Sequence, residues 1–109
     1  TQLFFRNQHY YNYVKRCLEN GVTAPVIPGL KPLTNQKQLT TIPRVFNVEL
    51  PVELCNEMMK AKTEAACEQV GTEWLLHQCR DLLKNKVPVL HFYTLGKPMV
   101  IYNVLKQLF

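Results

Sequence analysis

The sequence has no C-x-x-C pair, no G-x-G-x-x-G or G-x-x-x-x-G-K-[ST] phosphate loop, and no apolar run near the roughly 18 residues of a membrane span. The first absence argues against a zinc or dithiol motif, so Cys17, Cys55, Cys67 and Cys79 are expected to be reduced core thiols. The second counts against an open nucleotide-binding sheet. The third, with no charged-then-apolar leader, leads to the expectation of a cytoplasmic chain with no membrane partner. Histidine is also sparse. His9, His77 and His91 show no metal-ligand spacing, and no Asp or Glu falls at the end of an expected strand. Neither a carboxylate pair for acid–base work nor a nucleophile with its base is visible, so no catalytic residue and no metal site are assigned.

What remains is ordinary globular composition for one domain: 109 residues, 47% hydrophobic and 19% charged. Thirteen basic against eight acidic residues give a net charge of +5, which by itself allows an anionic partner. The basic residues cluster in pairs (Lys15 and Arg16, Lys60 and Lys62, Lys84 and Lys86) near the ends of expected helices, where cations complement the helix dipole. No basic stripe with interleaved aromatics appears, so nucleic acid is not an expected partner.

The chain is organised around Pro25-Val26-Ile27-Pro28-Gly29-Leu30-Lys31-Pro32, which reads as the middle one of three short buried strands running into a stiff loop. Pro28 lacks a ladder N–H, and Gly29 can let another group approach bare backbone. A rigid loop at the carboxyl end of a parallel strand is where α/β proteins place ligand sites. Thr1 to Phe5 reads as the first strand and Val22 to Pro28 as the second. Asn7 is expected to cap the helix between them, with Tyr10, Tyr13, Val14, Cys17 and Leu18 as its stripe and Gly21 at its end.

Thr34 is expected to cap a short helix carrying Gln38, Leu39 and Ile42, halted by Pro43. A connector over Asn47 to Leu50 leads to a helix begun by Pro51, with Leu54, Cys55, Met58 and Met59 inward. Thr63 should cap a long helix with Cys67, Val70, Trp74, Cys79 and Leu82 inward, and Gly71 is read as a point of close approach. Val87 to Leu95 is the third strand, with Val89, His91 and Tyr93 on one face. Pro98 opens a last helix burying Ile101, Val104, Leu105 and Leu108. Strands that each feed a helix are the repeat of a (β/α) barrel or a doubly wound sheet. A closed barrel needs roughly 250 residues. The chain is therefore expected to be part of one, cut from a larger protein and not stable as a monomer alone.

Uncharged or basic polar residues recur close to the carboxyl end of each strand unit: Gln2, Gln38 and Lys97. These are binding groups. Thr1-Gln2-Leu3-Phe4-Phe5, the Pro25 to Pro32 loop and His91-Phe92-Tyr93-Thr94-Leu95, in this order and spacing, resemble the last third of the methylenetetrahydrofolate reductase family over essentially all 109 residues. The resemblance implies the carboxyl-terminal three-strand portion of an α/β (β/α)8 TIM barrel, with residues 1–109 belonging to a single domain whose earlier strands are absent from this chain.

It also implies an oxidoreductase of one-carbon metabolism and methionine biosynthesis. NADH or NADPH reduces FAD, and the reduced flavin passes a hydride to 5,10-methylenetetrahydrofolate to give 5-methyltetrahydrofolate. On this resemblance Gln2 contacts the pterin or the nicotinamide, Gln38 the folate, and Lys97, where the family can carry an arginine, the folate's glutamate carboxylate. Ile42 stands where some members have an aromatic, and Ile42 and Tyr93 are expected to line the pocket. Gly96 and Val89 stand for a common asparagine and a common glycine. Most FAD contacts fall on the absent strands, so this chain alone should be inactive, and the full-length protein is expected to be a homo-oligomer. Two other readings stay open: a truncated, non-catalytic descendant serving as a structural or interaction module, and another flavin- or phosphate-binding barrel.

Overall fold

The computed structural model describes residues 1–94 and 96–109. Its elements are α1 (Asn7–Glu19), β1 (Gly29–Leu30), α2 (Gln38–Phe46), α3 (Val52–Lys60), α4 (Glu64–Lys84), β2 (His91–Phe92) and α5 (Pro98–Leu108). β1 and β2 pair in parallel, Gly29 opposite His91 and Leu30 opposite Phe92. Leu3 adds a parallel bridge to Gly29 on the other side. The Pro25 to Pro32 stretch is thus the middle of three parallel segments, as its punctuation suggests. The chain is α/β in class, with helices predominating.

The ladders are shorter than the apolar runs. The first segment pairs at Leu3 only, and of Val22 to Pro28 only the Pro28 carbonyl joins a ladder, accepting from His91 N at 3.1 Å, with the strand beginning at Gly29 instead. Val87 to Leu90, Tyr93 and Thr94 lie outside β2, and Leu95 lies outside the described residues. Part of the reason is chemical. Pro25, Pro28 and Pro88 have no N–H to donate. In addition, the carbonyls of Phe4 and Phe5 are taken by α4 side chains: Gln78 Nε2 donates to Phe4 O at 3.2 Å and Trp74 Nε1 to Phe5 O at 2.7 Å.

Alternation along the segments sorts their side chains into two cores. Phe4 and Leu30 are buried with Tyr10 of α1, Leu75, Leu76, Cys79 and Leu82 of α4, and Ile101 and Val104 of α5, and Phe92 packs on this group. Leu3 and Phe5 join Leu33, Ile42 of α2, Leu54 and Met58 of α3, and Ala61 and Cys67 at the start of α4. The first core is the helix layer under the sheet. The second lies toward the carboxyl ends of the strands, where α2 and α3 fold over them.

Several local expectations hold. Thr63 Oγ1 accepts from Ala66 N at 3.1 Å and caps α4. Gly21 has φ +79° just past α1. Pro51 precedes α3 and Pro98 opens α5. All four cysteines are free thiols. No helix among the described residues is long and apolar enough to cross a membrane.

Others are corrected. Arg6, not Asn7, is the N-cap of α1, because the Asn7 amide is drawn to Gln78 O (3.0 Å) and Asp81 Oδ2 (2.9 Å) of α4. On the same helix Tyr13 and Leu18 are 48% and 65% exposed, while Tyr11 packs inward. Thr34 does not cap α2; the Asn35 side chain accepts from Gln38 N at 3.0 Å. Pro43 sits inside α2 rather than halting it, at the loss of one backbone hydrogen bond, and the helix runs on to Phe46 before Asn47 turns left-handed at φ 52°. Met59 is 58% exposed.

The α1–α4 contact is a polar network. Tyr11 Oη donates to Asp81 Oδ2 at 2.6 Å, and Asn85 Nδ2 donates to Tyr11 Oη at 3.1 Å. Burial, then the Asp81 hydrogen bond, pushes the Tyr11 phenol up to about 12. The fold therefore favours the neutral phenol. This stabilisation is complete below the unfolded tyrosine pKa of about 10 and is lost as pH rises through about 12. In the intact protein the melting temperature is expected to fall across that window, and Tyr11→Phe to flatten the fall. A profile with the same slope in the variant would show that Tyr11 is not the titrating group.

Candidate functional site

The carboxyl ends of the three parallel segments, the loop from Lys31 to Lys37 and helix α2 form a rim, and the five expected site residues can be placed on it one by one. Gln2, exposed, donates its Nε2 to the carbonyl of Phe46, the last residue of α2. Gln38 is the first residue of the same helix. Its Oε1 accepts from Thr34 N at 2.6 Å, with Thr34 Oγ1 and Asn35 N each at 3.4 Å, while Asn35 Oδ1 accepts from Gln38 N. The exchange is the logic of a capping box, and it locks the β1–α2 loop onto the helix start.

Gln2 and Gln38 thus mark opposite ends of α2. At 1.5 Å per residue their anchor points are about 12 Å apart along the helix. A ligand that touches both amides has to be elongated.

Lys97 lies in the turn between β2 and α5, its N–H on Thr94 O at 2.9 Å. Its Nζ meets Glu68 Oε1 at 3.1 Å and Glu64 Oε1 at 3.4 Å, both on the first turns of α4. The Glu68 hydrogen bond, and then that of Glu64, raises its pKa above the ordinary lysine value. It is a clamped cation, already facing two carboxylates. Ile42 is 5% exposed and belongs to the second core. Tyr93, half-buried, packs on that core, and its hydroxyl donates to Thr1 O at 3.0 Å. The Tyr93 ring stands edge-on to His91 with centroids 4.8 Å apart. The same ring leans over Gly29, where an added Cβ would lie 2.8 Å from Tyr93 Cε2.

Two cavities adjoin this region. One, of about 330 Å³, is lined by Thr1, Gln2 and Phe4 and by His9, Tyr10 and Tyr13 of α1. The other, of about 620 Å³, lies between the loop before α2, the end of α3 and the start of α4 and includes Gln36, Lys62 and Glu64. Gln2 lines the first, and none of the other four expected residues lines either. Among the described residues no group of three His, Cys, Asp or Glu could hold a metal ion.

Sequence reasoning passed over three residues here. Glu64 and Glu68 lie 33 and 29 positions before Lys97, with no local pattern to link them. Lys31, a lysine inside an otherwise apolar and proline-bounded run, was the legible signal, and it is buried.

Comparison with known proteins completes the description. The family model described as methylenetetrahydrofolate reductase matches residues 1–109. The chain is 33% identical over 110 residues to a probable methylenetetrahydrofolate reductase (NADPH) of Caenorhabditis elegans, covering 99% of this chain and 17% of that protein. It is 32% identical to a 5,10-methylenetetrahydrofolate reductase of Buchnera aphidicola over 95% of this chain and 36% of that protein. Against the protein of that name from Escherichia coli the figures are 28%, 95% and 36%. The chain thus spans between about a sixth and somewhat over a third of the length of these relatives.

Proposed function

Because the chain belongs to the methylenetetrahydrofolate reductase family, we propose that the protein containing it reduces 5,10-methylenetetrahydrofolate to 5-methyltetrahydrofolate with NADH or NADPH. In this reading residues 1–109 are the carboxyl-terminal part of one (β/α)8 barrel domain and supply part of the folate and nicotinamide pocket. The observation that carries it is the family match over the whole chain; the three parallel segments, with Gln2 and Gln38 at the two ends of α2 and Lys97 in the turn after β2, are compatible with it.

The chemistry of each residue suits the role. A primary amide gives both donor and acceptor to a heterocycle edge without adding charge. Gln2 carries its amide exposed at the rim, and among the described residues its Oε1 has no hydrogen-bond donor. Gln38 uses its carbonyl oxygen to hold the Thr34 loop, which leaves its Nε2 as the group a folate would meet. Ile42, buried in the second core, and Tyr93, packed on it, would back such a pocket from beneath. Lys97 is the weakest fit of the three, because it is already paired with Glu64 and Glu68 and would meet a glutamate carboxylate only on giving one of them up.

The flavin, when bound, supplies the hydride relay between nicotinamide and folate. The residues present fit it poorly. Among the described residues the rim offers amides and lysines, with no glycine-rich cradle for a pyrophosphate. FAD is therefore assigned to the rest of the barrel.

Gln2→Ala in the complete enzyme is the test. Loss of one or two neutral hydrogen bonds should weaken folate binding about three- to tenfold and slow oxidation of the reduced flavin by folate, with the fold preserved. Unchanged folate affinity and an unchanged folate half-reaction would remove Gln2 from the site.

A further inference from the structure

Of the thirteen Lys and Arg residues, Lys31 alone is buried, at 6% exposure. Its ammonium reaches the carbonyl of Pro32 at 3.3 Å, and none of the ion pairs among the described residues includes it. Burial pushes its pKa below the ordinary lysine value. A charge taken out of water without a counter-charge is strongly disfavoured, and a single backbone carbonyl does not offset that. The natural compensation is an anion.

Position narrows where this anion comes from. Lys31 follows β1 directly. Tyr93 N donates to Leu30 O at 2.8 Å, so the β1–β2 ladder carries Lys31 level with Tyr93 at the carboxyl end of the sheet, where parallel sheets bind ligands. The other lysine of the rim, Lys97, already faces two carboxylates, which leaves that cluster with a net charge of about −1 and little pull on a further anion.

We propose that Lys31 is the cation of this rim that receives an anionic group of the bound ligand, a carboxylate or phosphate oxygen. The proposal rests on the folate and nicotinamide reading above, and the two sources of such oxygens are the glutamate tail of the folate and the pyrophosphate of the nicotinamide dinucleotide. Because the ammonium is enclosed, the pair it makes is screened little by salt.

The experiment is Lys31→Met in the full-length protein. Affinities are measured for 5-methyltetrahydrofolate, for the same pterin lacking its glutamate, and for NADH, at low and high ionic strength. A loss of about tenfold or more, persisting in salt and confined to the glutamate-bearing folate, assigns the carboxylate. The same loss confined to NADH assigns the phosphate. Lys31→Arg should retain most of the affinity in either case.

Equal affinities of Lys31→Met and wild type for all three ligands overturn the proposal. If the melting temperature moves while the affinities do not, the counter-charge is a carboxylate of the protein itself and the proposal also fails. Should Lys31→Met not fold, the Lys31 ammonium resonance of the wild type decides: it shifts when the correct ligand is added, and a stationary signal counts against the assignment. Wild-type protein that binds neither folate nor NADH would instead defeat the functional reading, an outcome distinct from the others.

Discussion

Adding one methyl group at Gly71 is expected to cost the protein about 3 kcal/mol or more of stability. In an exposed helix the same change from glycine to alanine is worth about 1 kcal/mol in the other direction. The sign reverses here because Gly71, buried on α4, faces the backbone of Leu33, and an added Cβ would run into the Leu33 carbonyl oxygen and carbon. Backbone cannot swing aside as a side chain can. Leu33 is itself buried, in a stretch from Lys31 to Thr34 that is buried throughout, so moving it disturbs the second core and the Gln38 loop together. Gly71→Ala in the complete protein should lower the melting temperature by several degrees and reduce soluble yield. A melting temperature equal to or above wild type would mean that α4 and the β1–α2 loop do not approach this closely.

The second large effect is expected at Gly29, where the three parallel segments meet. Leu3 pairs with Gly29 on one side and His91 on the other. A Cβ there would strike the Thr1 carbonyl and lie 2.8 Å from Tyr93 Cε2. The tyrosine ring can rotate, but the carbonyl is fixed by the adjoining segment, and Tyr93 gives up its hydrogen bond to Thr1 O if it moves. Gly29→Ala is expected to destabilise by about 2 kcal/mol and to disorder the rim at the same time. Ligand affinity and melting temperature should fall together in the variant. Preserved affinity for both folate and NADH would detach Tyr93 and Gly29 from the pocket.

What could be read beforehand was whatever depends on neighbours in the chain. The proline and glycine punctuation located the middle segment, and Thr63, Pro51, Pro98 and Gly21 marked helix ends, because caps and turns are local chemistry. Gly71 was legible as a point of close approach, and the Leu33 backbone is what comes close. What could not be read depends on partners far along the chain. Tyr11 displaced Tyr13 from the buried side of α1 because its hydroxyl finds Asp81, 70 residues away. Asn7 left its capping role for the same helix.

The site shows the same division. Gln2, Gln38 and Lys97 were recognisable as polar residues near strand ends, and the structure gives each a different set of partners. Their engagements with Phe46 O, the Thr34 loop and the Glu64–Glu68 pair are tertiary facts. Lys31 illustrates the reverse. Its place in an apolar run was in plain view, but only burial without a counter-ion turns a loop lysine into an anomaly.

The indole of Trp74 and the amide of Gln78 have one more implication. Phe4 O and Phe5 O point to opposite sides of an extended segment, so Gln78 ends the pairing toward β1 while Trp74, on Phe5 O, closes the free edge to a further strand, much as a selvedge stops a weave. Another strand laid along that edge can exchange ladder bonds with Thr1 to Leu3 and must diverge beyond them. The opening between two such strands would then begin level with Phe4, so α4, on the outside of the sheet, sets the depth at which a ligand pocket can start.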